Sequence, residues 1–78
     1  MEAEHPGGST YDIEFLHRDS EGSTLVLDVI RIIGNRRDRI IVRAEEMFLK
    51  MGFVPRPNGY RVLGAGGEIV HEYWKQGS

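Results

Sequence analysis

The pattern of this chain predicts a small α+β domain of two layers, ββαββ in order, with a four-stranded, mainly antiparallel sheet and one helix packed on one face. Three observations carry that expectation. Apolar residues recur at helical spacing between Asp38 and Phe53, and they do so nowhere else in the chain as clearly. Two segments ahead of it, Tyr11 to Phe15 and Thr24 to Ile33, read as strands around a turn-rich loop. Two short strand-like segments follow it around a glycine-rich turn.

Met1 to Ser9 offers nothing to pack and reads as a tail, which sets the domain at residues 10–75. Tyr11, Ile13 and Phe15 alternate with Asp12 and Glu14, the signature of a half-buried strand. His17 to Ser23 reads as the hairpin loop. Thr24 to Ile33, TLVLDVIRII, is the most β-branched run and is expected to be a long strand. A helix is its main alternative, since Leu25, Asp28, Val29 and Ile32 are also helically spaced. Simple alternation puts Leu25, Leu27 and Val29 on one face, and Val26, Ile30 and Ile32 with Asp28 on the other. With both faces partly apolar, this strand is expected at the centre of the sheet.

In the helix, Ile40, Ala44, Met47, Phe48 and Met51 share a face that Ile41 widens to roughly 120°. Asp38 is the expected N-cap, Gly52 the left-handed residue at the C-terminal end, and Pro55 the stop. Val54 to Gly59 makes a rigid link. Tyr60 to Leu63 and Glu68 to Trp74 then form the second hairpin, with Val62 opposite Ile69 or Val70 according to the turn. Residues 76–78, Gln-Gly-Ser, have the composition of a linker. That ending and the lack of cysteine are compatible with an engineered or designed chain. The histidines, methionines and the VPRPNG link are compatible with a natural one.

Composition narrows the function classes. Seventy-eight residues without cysteine make a thin core with no disulfide or thiolate metal site to support it. A net charge of −2 gives no global attraction to nucleic acid or anionic membranes. No apolar run is long enough to span a bilayer, and the acidic start lacks the features of a signal peptide, so a cytoplasmic protein is expected.

Chemistry-bearing patterns are sparse. Gly64-Ala65-Gly66-Gly67 is followed by a strand rather than a helix N-terminus, so it reads as a turn and not a phosphate loop. His5, His17 and His71 are scattered, and the serines sit in loops without a nucleophile motif. No catalytic residue, cofactor or metal is therefore assigned, and the chain is read as a non-enzyme. Tyr60, His71, Tyr73 and Trp74 would make a stacking platform only in part, because neighbours in a strand face opposite ways.

Charge is distributed unevenly. Six acids against Arg18 occupy residues 1–22, whereas Arg31, Arg36, Arg37, Arg39 and Arg43 stand against Asp38 alone in residues 31–43. Arg36, Arg37, Arg39 and Arg43 at the helix start define an anion or nucleic-acid site, the secondary functional reading. Pairing of these arginines with Asp28, Asp38 or the acidic first hairpin is the competing outcome. The leading reading is a non-catalytic scaffold or interaction domain that forms a homodimer. Val26, Ile30 and Ile32 are expected to load the sheet face away from the helix, and Val42 and Leu49 the outer side of the helix.

Overall fold

The computed structural model describes residues 9–50 and 56–75. Strand β1 (Ser9–Arg18) and β2 (Thr24–Gly34) form a hairpin, α1 (Arg37–Lys50) follows, and β3 (Gly59–Leu63) and β4 (Ile69–Trp74) form the second hairpin. All three pairings are antiparallel, and the sheet order is β2-β1-β3-β4. The expected α+β, ββαββ architecture is the one observed. The readings that fall on the N-terminal tail before Ser9, on Met51, Gly52, Phe53 and Pro55, and on residues 76–78 lie outside the described residues.

β1 is central because it has a neighbour on each side. Its odd-numbered residues meet β2 on one flank and β3 on the other: Tyr11 opposes Ile32, Ile13 opposes Ile30 and Val62, and Phe15 opposes Tyr60. Tyr11, Ile13, Phe15, Tyr60 and Val62 form the sheet half of the core, and Ile40, Ala44 and Phe48 of α1 close it. Met47 and Val70 pack on its rim. Burying each large side chain of this set contributes about 1.5–3 kcal/mol.

Four expectations are corrected. β2 is a sheet edge, not the centre; its apolar residues on both faces reflect composition, while centrality depends on having two neighbours. Ile30 and Ile32 pack against the core on the helix side, not on the face away from it. The cause is a bulge: the register slips between Phe15 and Leu16, which oppose Asp28 and Val26, so Leu27 is the extra residue and face parity inverts across it. Ser9, His17 and Arg18 are strand residues rather than tail and loop. In the second hairpin Val62 opposes His71 and Leu63 opposes Ile69, so Val70 is again a bulge and neither expected register forms.

Both turns have a physical signature. Asp19 organises the first, its Oδ1 accepting from the amides of Glu21 and Ser23 at 2.9 Å each, with Gly22 at φ 90°. In the second, the Gly67 amide donates to the Gly64 carbonyl at 3.0 Å, and Gly67 takes φ 86°. Asn58 extends the β1–β3 pairing with its side chain. Its Nδ2 donates to the Arg18 carbonyl and its Oδ1 accepts from the Arg18 amide, both at 2.9 Å. The side chain thus acts as one more backbone unit in the ladder.

Candidate interaction surface

With the helix on one side, the other face of the sheet is built from the even-numbered residues of β1 and their partners. The pairings lay these residues out in rows. One row runs Val29, Glu14, Arg61, Glu72, and the next runs Val26, Leu16, Gly59, Trp74. A third runs Arg31, Asp12, Leu63, Ile69.

Charges on this face are matched in place. Arg31 Nε donates to Asp12 Oδ1 at 2.9 Å, and its Nη2 reaches Asp12 Oδ2 at 3.4 Å. That guanidinium holds the Asp12 carboxyl below the usual aspartate range, chiefly through the hydrogen bond. Arg61 bridges two strands, with Nη1 to Glu14 Oε1 at 3.2 Å and Nη2 to Glu72 Oε2 at 3.6 Å. Glu72 Oε2 also accepts from Trp74 Nε1 at 2.8 Å.

Trp74 lies flat on Gly59, where an added Cβ would stand 2.6 Å from its Cζ3. Gly59 is thus the cradle that lets an indole cross the sheet toward Leu16, which is fully buried although it lies outside the core cluster under the helix. The Arg18 guanidinium covers the ring at 3.9 Å from its centroid. This end of the face is therefore closed by its own residues.

The β2 end is different. Val26 and Val29 are each 48% exposed, and Ile33 is 72% exposed. They belong to a strand of 11 residues whose outer edge has no neighbour among the described residues. Sheet edges are ordinarily blunted by shortness, lysine, proline or charge. β4, the opposite edge, is six residues long, is interrupted by its bulge and carries His71 and Glu72. β2 contains no lysine or proline, and its charges are Asp28 and Arg31, the latter already engaged by Asp12. From Asp28 to Gly34 it pairs with β1 without irregularity. On the helix side Ile30 and Ile32 are half-buried, since α1 lies mainly over β3 and leaves the β2 flank of the core partly open.

The arginines at the helix start are all exposed. The helix begins at Arg37, with the amides of Arg39 and Ile40 both donating to the Arg36 carbonyl at 3.2 Å, so Arg36 and not Asp38 occupies the N-cap position. Asp38 sits in the first turn, where a carboxylate suits the helix dipole. It accepts from Arg36 Nη2 at 3.3 Å, a bond that is the main cause of its lowered pKa. Arg39 and Arg43 border a shallow groove with Val42, and Asp38 and Glu46 interleave them. The acidic hairpin loop does not neutralise this cluster: Asp19 and Glu21 lie at the other end of β2, about 33 Å of strand away. Val42 and Leu49 are 53% and 65% exposed on the helix.

The aromatics separate as strand parity requires. Tyr60, Tyr73 and Phe48 form a closed triangle with centroids 5.2 to 5.7 Å apart, and His71 stacks beside Tyr60 at 5.7 Å. Burial raises the Tyr60 pKa, with smaller contributions from Glu45 and Tyr73. Trp74 faces the other way. His17 Nδ1 is 3.1 Å from the Arg56 carbonyl, to which it donates. Among the described residues no three His, Asp or Glu side chains converge as metal ligands, and no helix is long and apolar enough to cross a membrane.

Sequence reasoning missed Val29 and Ile33 as exposed apolar residues of the open face, and missed Trp74 and Arg18 as its closed end. No sequence signal marks the second, since the pairing of Gly59 with Trp74 depends on a register that the residue types do not fix. No protein-family model, curated protein or solved structure matches this chain.

Proposed function

We propose that this chain is a non-catalytic interaction domain that works by self-association along its β2 side. The observation that carries the reading is the difference between the two sheet edges: β4 is six residues long with a bulge inside it, whereas β2 is 11 residues long and runs without a bulge from Asp28 to Gly34, with Val29 and Ile33 exposed along it. An edge of that kind pairs readily with another strand. The described histidines support the non-catalytic part, since His17 is tied to the Arg56 carbonyl and His71 packs on Tyr60. The charge-matched rows of the open face favour protein over polyanion as the partner, because each arginine there already holds a carboxylate or covers Trp74.

Light scattering over a micromolar concentration series tests this. The unsubstituted chain is expected to form dimers, and Val29→Lys to remain monomeric with an unchanged circular dichroism spectrum. A monomer across the whole series rejects the reading.

A further inference from the structure

We infer that β2 pairs antiparallel with β2 of a second copy about a twofold axis at Ile30, so that Ile30 faces its own counterpart and the two sheets join into one. This rests on the self-association reading above and adds its register. In such a pair, directly opposite residues share a face, and the axis can sit only where both copies present compatible rows.

The helix-side rows favour Ile30. Within one copy, Val62, Ile13 and Ile30 lie side by side across three strands; the first two are fully buried and the third is half-buried at the open flank. An axis at Ile30 continues this row into Ile30, Ile13 and Val62 of the second copy, and covers the open flank with the same residue type. An axis at Val29 sets Asp28 against Ile30 and breaks this row, whereas the axis at Ile30 keeps the row whole and sets Asp28 against Ile32 in the rows on either side of it.

The outer-face rows agree. An axis at Ile30 sets Val29 opposite Arg31 of the second copy. The row then reads Glu72, Arg61, Glu14, Val29 in one copy and Arg31, Asp12 in the other, so charges alternate in sign across the junction. An axis at Arg31 instead opposes two arginines directly, which is destabilising. An axis at Ile32 pairs only the last residues of the strand and sets Arg31 beside Ile33, with no carboxylate next in the row, since Thr10 is the partner there.

The chain has no cysteine, so a single introduced thiol reports the axis without background. Ile30→Cys, Val29→Cys, Arg31→Cys and Ile32→Cys are each oxidised mildly at a concentration where light scattering shows dimers. Ile30→Cys is expected to form the disulfide-linked dimer at least about tenfold faster than the others, because only residues at the axis bring their Cα atoms within bridging distance. Fastest cross-linking at 29, 31 or 32, with the unsubstituted chain dimeric, overturns this register and leaves self-association standing. A chain that is monomeric alone and cross-links at no position overturns both. Should Ile30→Cys not fold, the unsubstituted chain answers the same question. In a mixture of isotope-labelled and unlabelled copies, nuclear Overhauser contacts from Ile30 to Ile30 across the interface are expected, and contacts from Arg31 to Arg31 contradict the inference.

Discussion

β1 and β2 are hairpin partners of nearly equal length, and the less apolar of the two is the one that is buried. β1 carries Asp12, Glu14, His17 and Arg18, yet Ile13, Phe15 and Leu16 are fully buried. β2 is richer in Val, Leu and Ile, yet Leu25, Val26, Val29 and Ile33 are all about half exposed or more. Burial follows the number of neighbours a strand has and which of its faces the helix covers, and only then its side chains. An edge strand with more apolar surface than its place requires points to a partner outside the fold.

The largest test of this contrast compares Phe15→Ala with Ile33→Ala, both in a Val29→Lys monomer so that assembly does not intrude. Phe15 is fully buried and its truncation is expected to cost about 3–5 kcal/mol, much of the stability of so small a domain. Ile33 is 72% exposed and its truncation should stay within about 0.5 kcal/mol. Urea unfolding followed by circular dichroism measures both, and equal losses would mean that β2 is covered within the monomer.

Gly59→Ala comes next. A Cβ there displaces Trp74 from under Arg18, at about 1–3 kcal/mol, with a shift in tryptophan fluorescence that Val29→Lys should not produce. Asn58→Ala removes the two side-chain bonds that lengthen the β1–β3 ladder, for roughly 1–2 kcal/mol, read from the unfolding midpoint. It weakens the central strand on its β3 side while leaving the β2 edge as it is.

How far the fold was legible follows from the same contrast. Alternation in Tyr11 to Phe15 and the helical period of Ile40, Ala44 and Phe48 are local, and both were readable from sequence. The N-cap lies two positions ahead of the expected Asp38, at Arg36, because Asp38 is a good residue both at an N-cap and in the first turn. The neighbours of β2 were not readable, since which strands flank β1 is decided by tertiary pairing. Nor were the bulges at Leu27 and Val70, which change the facing of every residue beyond them without a mark in the residue types. That is why Ile30 and Ile32 were expected on the wrong face, and why Val29 and Ile33 went unnoticed at the surface. Of the candidate residues, the arginines are readable as a cluster, and so is local pairing with Asp38, which Arg36 makes.

The smallest effect concerns the pair that ties β2 to β1 on the open face. Arg31 holds the Asp12 carboxyl below its ordinary value, near 3.9 in unfolded chains. A depressed folded-state pKa contributes stability that is complete above that value and is lost as pH falls through the folded one. Asp12→Asn should therefore flatten the acid side of the stability–pH curve while leaving the neutral region little changed, which unfolding curves between neutral pH and about pH 2 would register.

Amide hydrogen exchange on the unsubstituted chain, residue by residue and at two concentrations, bears most directly on the difference between the two edges. Amides of β2 that point away from β1 are expected to be protected at high concentration and to lose that protection on dilution, while the outer amides of β4 exchange rapidly at both. Outer β2 amides that exchange as fast as those of β4 at every concentration would contradict the account.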